Sequence, residues 1–227
     1  MRRLLSVILC FCLLGCFPVG AKGEKYVALT FDDGPSGRFT RRLLEGLEER
    51  NVQATFLLCG YRLKEYPNLA EQIYNAGHEI GLHGYSHRDM ATLSEGELKK
   101  EIADTRALLP KGCEAVFLRP PGGSATGLVE KISGSMGLAL LLWSVDPRDW
   151  AVHDATAVET AVVSQVQDGD VILLHDLSDS SVNAALAIVD KLQKEGFRFV
   201  TVSRLAEIRG VSLDPGKTYK NFPAGDG

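Results

Sequence analysis

The stretch Tyr26-Val-Ala-Leu-Thr-Phe-Asp-Asp-Gly-Pro35 joins a six-residue apolar strand to an acidic turn. A strand that is apolar along its length is typical of a parallel sheet covered on both faces. On either side of this pattern, along the rest of the chain, short apolar runs alternate with segments of helical periodicity. The alternation predicts an α/β fold in which parallel strands are surrounded by outer helices.

Seven such β–α units follow one another. The predicted strands are 26–31, 54–58, 78–82, 115–118, 138–143, 171–174 and 197–201. The predicted helices are 39–50, 67–76, 95–109 after the capping box Ser94-x-x-Glu97, 126–135, one capped by Thr156-x-x-Glu159, 181–195, and a short one from Ser203. Seven units predict a distorted (β/α)7 barrel, with a doubly wound open sheet as the alternative. No glycine-rich dinucleotide motif follows the first strand, which disfavours nucleotide-binding open sheets.

The N-terminus differs in composition from the rest of the chain. Met1-Arg2-Arg3 is basic, and Leu4 to Ala21 then carries no charge for 18 residues, as in an export signal. Three outcomes are open: cleavage after Ala21, lipidation of Cys16 in the lipobox-like Leu13-Leu14-Gly15-Cys16, or an uncleaved anchor. Each places the protein outside the cytoplasm, with the membrane reached only through this leader. We divide the chain into a leader (1–21), a folded domain (22–210) and a loose, turn-rich tail (211–227).

Charge and cysteine content exclude several classes of protein. The 227 residues carry a net charge of −4, which argues against a nucleic-acid partner. With 45% hydrophobic residues the chain is neither disordered nor a multi-span membrane protein. Outside the leader only Cys59 and Cys113 remain, which excludes a disulfide scaffold. We expect two buried thiols, with a bridge between them as the alternative.

Ionisable side chains follow five of the seven predicted strands at their C-terminal ends. In β/α barrels these ends share one rim, where chemistry gathers. The segments are Asp32-Asp-Gly-Pro35, His83-Gly-Tyr-Ser-His87, Arg119-Pro-Pro-Gly-Gly123, Ser144-Val-Asp-Pro-Arg-Asp-Trp150 and His175-Asp176. We therefore expect the functional site at this rim.

Two of these segments contain the donors of a divalent-metal site. His83 and His87, with one carboxylate of Asp32 or Asp33, form a set typical of catalytic divalent metals. Taken alone, the histidines are ordinary surface side chains and the acidic segment a plain turn, so the shared rim carries the prediction. One carboxylate can bind the metal while its neighbour accepts a proton from water.

His175 follows the apolar strand 171–174 and has two interpretations. It is either a structural residue at the mouth of the core or a general acid tuned by a carboxylate. Asp149 and Asp176 are the candidates for that tuning, although Asp176 is better placed to cap the following turn.

Five ordered motifs resemble those of the polysaccharide deacetylases of carbohydrate esterase family four. They are Thr30-Phe-Asp-Asp-Gly-Pro-Ser36, His83-x-x-x-His87, Arg119-Pro-Pro-Gly-Gly123, Asp146-x-x-Asp149-Trp150 and Leu173-Leu-His175. The motifs cover nearly all of residues 22–210, which the resemblance makes a deacetylase catalytic domain. It also implies a (β/α)7 barrel, in agreement with the count of units.

The resemblance assigns the metal and the base. Asp33, His83 and His87 would bind the metal, zinc first, with cobalt, manganese or nickel as alternatives. Asp32 would be the general base that activates the water, and Arg119 would hold Asp32 in place.

It also assigns the acid and the substrate contacts. His175 would protonate the leaving amine, with Asp149 orienting and tuning it. Trp150 and Leu173 would shape the pocket for the acetyl methyl group. The backbone N–H of Gly122 would stabilise the oxyanion.

Two positions depart from the family pattern. Gly84 stands where the family has Ser or Thr, so a hydroxyl between the two histidines is missing. Gly122 replaces an aromatic residue, which opens the substrate groove.

We expect removal of N-acetyl groups from an amino-sugar polymer, peptidoglycan first and chitin oligomers second. The alternatives are an O-acetyl esterase acting on a polysaccharide such as xylan, and an inactive carbohydrate-binding module.

Overall fold

A computed structural model of the protein describes residues 23–225, so the predicted leader lies outside the described residues. The strands are β1 (Lys25–Asp32), β2 (Thr55–Leu58), β3 (Glu79–Leu82), β4 (Phe117–Leu118), β5 (Ala139–Leu141), β6 (Val171–His175), β7 (Phe197–Phe199) and β8 (Thr218–Tyr219). The helices are α1 (Arg38–Glu49), α2 (Gly60–Glu65), α3 (Pro67–Asn75), α4 (Glu95–Arg106), α5 (Gly127–Ser135), α6 (Ala155–Val163), α7 (Asp179–Lys194) and α8 (Val202–Ile208). None of these described helices has the length and apolar character needed to span a membrane.

The strands form one curved, parallel sheet. Their order is β6-β1-β2-β3-β4-β5-β8, and β7 pairs with the N-terminal part of β1. After β5 the chain reaches β6 through a parallel bridge between Val145 and Ile172. A single bridge in place of full strand pairing makes the barrel distorted at this point. The predicted α/β fold, a distorted (β/α)7 barrel, is confirmed.

The apolar run of β1 is explained by burial on both of its faces. Val27, Leu29 and Phe31 pack in a hydrophobic cluster with residues of α1 and α7, whereas Tyr26 and Ala28 belong to a second cluster. Successive side chains of a strand point to opposite faces, so both sets must be apolar. Full burial of a side chain as large as Leu or Phe contributes about 1.5–3 kcal/mol. The sheet is thereby held firmly beneath the rim.

Two helix starts test the capping predictions. Ser94 and Glu97 form the predicted capping box at the start of α4. The predicted cap of α6 by Thr156-x-x-Glu159 is wrong, because the Asp154 carboxylate accepts hydrogen bonds from the N–H groups of Thr156 and Ala157. Aspartate is as good an N-cap as serine or threonine, and it comes two residues earlier in the chain.

The C-terminal segment is not the loose tail that its turn residues predict. β8 pairs in parallel with β5, and Phe222 is buried with its ring stacked on that of Tyr219. The Phe222 N–H also donates to the carbonyl of Gly169. Two aromatic side chains thus anchor this segment. Its strand has only two residues, which is too short for the alternation of apolar and polar residues that predicts a strand.

The two cysteines of the folded part are free thiols. Cys59 is buried and Cys113 is half-buried. Burial raises the pKa of both thiols, to about 11 for Cys113. Both are therefore protonated at neutral pH.

Candidate active site

The C-terminal ends of the strands bring the predicted rim residues into one pocket of about 400 Å³. Its lining residues are Asp32, Asp33, His83, His87, Gly122, Trp143, Asp146, Trp150, Leu173 and His175. The two remaining predicted residues, Arg119 and Asp149, are buried behind it. Trp143 was missed as a site residue because it ends an apolar run, yet its ring lies 5.6 Å from the Arg119 guanidinium.

The predicted metal ligands converge. Asp33 Oδ1 lies 3.2 Å from His83 Nε2 and 2.9 Å from His87 Nε2. One ligand atom from each residue lies within 4.8 Å of the other two. Asp33 Oδ1 is buried and has no hydrogen-bond donor of ordinary geometry among the described residues. Such an oxygen facing two imidazole nitrogens needs a positive charge beside it.

The tautomer of His83 shows that this positive charge fits a metal ion. His83 Nδ1 lies 2.7 Å from the carbonyl oxygen of Arg119, which can only accept, so Nδ1 carries the hydrogen. In the neutral ring the lone pair of Nε2 then faces the Asp33 carboxylate. Only a proton or a metal ion between the two relieves that contact, and two imidazoles with one carboxylate suit a divalent metal. A carbonyl behind the histidine is a common outer partner in metal sites.

The titration behaviour of the cluster agrees with a site for a cation. Although burial opposes ionisation of Asp33, the close imidazoles of His83 and His87 hold its pKa well below the usual range. In turn, the Asp33 carboxylate, which can accept a hydrogen bond from the protonated ring, raises the pKa of His87. The carboxylate is therefore ionised and ready to bind a positive ion.

Two of the three predicted metal ligands have a left-handed backbone. Asp33 has φ 70° and His87 has φ 59°. Non-glycine residues rarely adopt this region, at a cost of about 1–3 kcal/mol each, and do so mainly at functional sites. The reversal at Asp33 separates the adjacent carboxylates, since Asp32 meets Arg119 while Asp33 meets the histidines. Local sequence gives no signal of this change.

Three consecutive N–H groups after β2 connect the loop that carries Asp33 to the loop that carries His83 and His87. The pairs, at 3.0–3.1 Å, are Cys59 to the carbonyl of Gly34, Gly60 to that of Gly84, and Tyr61 to that of Tyr85. A Cβ on Gly60 would lie 2.8 Å from Thr105 Oγ1 and 3.0 Å from Tyr85 Cα, so this close approach requires glycine. No sequence motif marks this segment, and its only signal is a glycine shortly after an apolar strand.

Arg119 fixes the orientation of Asp32. The guanidinium is fully buried, and its Nη1 donates to Asp32 Oδ1 at 2.6 Å. Its other hydrogen bonds go to Thr30 Oγ1 and to the carbonyls of Leu141 and Leu142. Burial lowers the pKa of Arg119, against the effect of Asp32, but the ordinary value is so high that the group remains charged. Asp32 Oδ2 stays on the pocket side, 3.7 Å from His83 Nε2.

Asp149 holds His175 by two hydrogen bonds. Its Oδ1 lies 2.8 Å from His175 Nδ1, and its Oδ2 accepts from the backbone N–H of His175 at 2.9 Å. Burial disfavours the imidazolium, but the hydrogen bond and charge of Asp149, helped by the charges of Asp32 and Asp33, raise the pKa of His175 to about 9. At neutral pH this ring carries a proton into the pocket.

Asp176 does not cap the turn after β6, as its position in the sequence suggested. Its carboxylate is buried and accepts a hydrogen bond from the Thr40 hydroxyl of α1. The N-cap of α7 is Ser178. Burial raises the pKa of Asp176 to about 6. Of the two candidate carboxylates, only Asp149 contacts the His175 ring.

We expect Asp149→Asn to lower the pKa of His175. In the metal-free protein, NMR titration of the His175 ring should have its midpoint near 9. Loss of the carboxylate charge destabilises the imidazolium, so the variant should titrate about 1–3 pH units lower. Asp179→Asn, an exposed carboxylate on α7 paired with Arg38, is the control and should leave the midpoint in place. An unchanged midpoint in Asp149→Asn would contradict this origin of the shift.

Comparison with known proteins identifies a matching family model and similar proteins whose names state an activity. A family model described as polysaccharide deacetylase matches residues 19–141. The peptidoglycan-N-acetylglucosamine deacetylase of Bacillus cereus is 39% identical over 188 residues, which cover 80% of this chain and 88% of that protein. The peptidoglycan-N-acetylmuramic acid deacetylase PdaC of Bacillus subtilis is 36% identical over 82% of this chain but only 40% of its own length.

A similar solved structure is a family 4 acetyl xylan esterase from Clostridium thermocellum in complex with a cobalt ion. It has a TM-score of 0.82 and 35% sequence identity to this chain. The match covers 88% of this chain and 100% of the esterase chain. The likeness therefore extends over the barrel and its rim.

Proposed function

The chain belongs to the polysaccharide deacetylase family, and from that premise we propose that it removes N-acetyl groups from the amino sugars of peptidoglycan. The observation that carries the proposal is one pocket with three groups: the Asp33–His83–His87 cluster, a carboxylate held by a buried arginine, and a protonated histidine. Relatives named for N-acetylglucosamine and N-acetylmuramic acid make both sugars candidates, and chitin oligomers come second.

We assign the metal to Asp33, His83 and His87. When bound, a divalent ion supplies a Lewis acid at the carbonyl and lowers the pKa of water in the site. Zinc is our first choice for this donor set. Cobalt is found in the related esterase, and manganese or nickel are further alternatives.

In this proposal Asp32 is the general base. Arg119 holds Oδ1, which leaves Oδ2 on the pocket side to accept the proton of the attacking water. The new bond forms between the water oxygen and the acetyl carbon. The backbone N–H of Gly122, at the edge of the pocket, is our candidate for stabilising the oxyanion that results.

His175 is the general acid. As the C–N bond breaks, the imidazolium gives its proton to the leaving nitrogen, and the products are acetate and the free amine of the sugar. The hydrogen bond and charge of Asp149 raise the pKa of His175 and hold the orientation of its ring. A neutral imidazole could not make this transfer, so the raised pKa of His175 suits the role.

The pocket walls suit a sugar in an open chain. Leu173 and Trp150 line the pocket where we place the acetyl methyl group, and Trp150 is 54% exposed. A Cβ on Gly122 would meet nothing within 4 Å, so this edge is open. An open edge allows the neighbouring sugars of a polymer to extend beyond the pocket.

The substrate places the protein outside the cytoplasm, because peptidoglycan lies there. The proposed route is the leader at 1–21, which is cut after Ala21, lipidated at Cys16 or kept as an uncleaved anchor. Attachment to the membrane would then be through the N-terminus alone.

Acetate release tests the function. The metal-loaded protein should release acetate from peptidoglycan and leave a free amine on the polymer. Acetate from acetylxylan instead would favour the ester hydrolysis suggested by the related esterase. No acetate from peptidoglycan, N-acetylglucosamine oligomers or acetylxylan, with bound metal verified, would contradict the proposal and favour an inactive binding module.

A further inference from the structure

We infer that Glu101 of α4 is a positioning residue for the metal site. We call the segment His83–His87, which carries both proposed histidine ligands, the metal loop. Glu101 supports this segment from outside, as a brace. The inference rests on the proposed function, because it assigns Glu101 its role through these two ligands. No sequence motif pointed to Glu101, which lies 14 positions after His87.

The Glu101 carboxylate meets the metal loop at three atoms. Its Oε2 accepts hydrogen bonds from the backbone N–H groups of Tyr85 at 2.7 Å and of Ser86 at 2.8 Å. Its Oε1 accepts from the Ser86 hydroxyl at 2.7 Å. Hydrogen bonds to a charged acceptor are about twice as strong as neutral ones. One side chain thus fixes two adjacent peptide units between the two ligands.

The metal loop needs such a brace because its own backbone is unfavourable. His87 has φ 59°, a left-handed conformation that is unfavourable for a non-glycine residue, whereas Gly84, with φ 76°, adopts the same region freely. The His83 side chain is 3% exposed and is held by the Arg119 carbonyl, whereas that of His87 is 44% exposed. Packing therefore positions His83, and the backbone of the metal loop positions His87.

The backbone of the metal loop disfavours a side chain at residue 84, because φ is 76° there. A Cβ on Gly84 would lie 2.8 Å from Met90 Cε and 3.3 Å from Glu101 Oε2. A side chain with a hydroxyl at this position would have to displace the flexible end of Met90 and adopt a left-handed backbone that glycine tolerates best. Glu101 approaches the same part of the loop from α4 and accepts hydrogen bonds from Tyr85 and Ser86.

Helix α4 is a rigid support for this side chain. Leu98, Ile102 and Thr105 are buried on its inner face. Its start is fixed by the capping box of Ser94. The Glu101 carboxylate is therefore presented from a fixed backbone, as positioning of a metal ligand requires.

Metal affinity measures this role without reference to catalysis. We expect Glu101→Ala to weaken binding of Zn²⁺ and Co²⁺ about 10–100-fold, the usual cost of losing an outer partner of a metal site. Affinity is measured by competition with a coloured chelator. Glu101→Gln should keep most of the affinity, because its amide oxygen can accept the two N–H bonds and its NH₂ can donate to Ser86. At saturating metal, Glu101→Ala should recover most of its kcat with KM unchanged, since Glu101 does not touch the substrate.

Asp104→Ala is the matched control. Asp104 lies on the same helix and is a half-buried carboxylate paired with Lys100. It should leave metal affinity unchanged. An equal loss of affinity in Asp104→Ala and Glu101→Ala would overturn the inference in favour of general weakening of α4, and so would wild-type affinity in Glu101→Ala.

A second substitution decides the matter if the alanine variant does not fold. Glu101→Asp keeps the charge but shortens the reach by one methylene, so it should bind metal more weakly than Glu101→Gln. The reverse order would overturn the inference. A wild-type protein that binds metal but releases no acetate would overturn the proposed function, while the affinity comparison would still decide the role of Glu101. A wild type that binds neither ion would overturn both.

Discussion

Replacing Asp32 by asparagine should lower kcat for acetate release about 10²–10⁴-fold, the range for loss of a general base. Asparagine has nearly the same shape, and its amide oxygen can still accept the hydrogen bond from Arg119 Nη1. It cannot accept a proton from water at neutral pH. Since Asp32 is not among the converging ligands, metal affinity should change little. KM should also change little, because the loss falls on the transition state.

The structure also predicts a cost in stability for this variant. Arg119 is fully buried, and its one carboxylate partner is Asp32 among the described residues. Breaking a buried ion pair by removing one partner costs about 3–5 kcal/mol, because it leaves a buried charge uncompensated. The three further hydrogen bonds of Arg119 should keep the fold intact. Thermal unfolding must therefore accompany the kinetics, which are measured well below the transition.

Asp154→Asn is the matched control for both measurements. Asp154 is the exposed N-cap of α6, a position where asparagine caps as well as aspartate. Its kcat and unfolding temperature should match those of the wild type. Acetate release that survives Asp32→Asn unchanged would remove Asp32 from the role of base.

The fold could be predicted because its signals are local and repeated. An apolar run such as 171–174 is buried on both faces whatever its neighbours, and Gly196 ends a helix through its own backbone freedom. The pairing that joins the segment after β5 to β6 could not be predicted from such local signals. It depends on one bridge, Val145 to Ile172, between segments 27 positions apart, and nothing in either segment specifies the pairing.

In the candidate site too, some features have a signal in the sequence and others have none. The order of apolar strands and the polar residues that follow them are enough to place Asp33, His83 and His87 on one rim. The choice between Asp32 and Asp33 came only from the family resemblance, because it depends on the left-handed backbone at Asp33. Glu101 could not be found from sequence, because it meets the metal loop through backbone N–H groups. Such contacts leave no pattern of residue types.

His83→Ala should abolish tight metal binding and, with it, acetate release. We expect the affinity for Zn²⁺ to fall by more than about 100-fold, beyond the range for outer partners of a metal site. His83 is buried and its Nδ1–H is fixed by the Arg119 carbonyl, so no neighbouring side chain can take its place. The substitution also leaves a cavity beside the Asp32–Arg119 pair. The metal-free variant should therefore unfold at a lower temperature than the wild type.

His87→Ala is the informative comparison, since the two histidines share a ligand role but differ in burial. It should also lose metal, yet in the metal-free state it should unfold at the same temperature as the wild type, because its side chain is 44% exposed. In the wild type, affinity should fall as the pH drops through the pKa of His87, which Asp33 raises above its ordinary value, since the proton competes with the metal there. His153→Ala, which removes an exposed histidine outside the pocket, is the control and should keep both the metal affinity and this pH dependence. Wild-type affinity in His83→Ala would place the metal elsewhere, and the assignment of base and acid around it would then have no support.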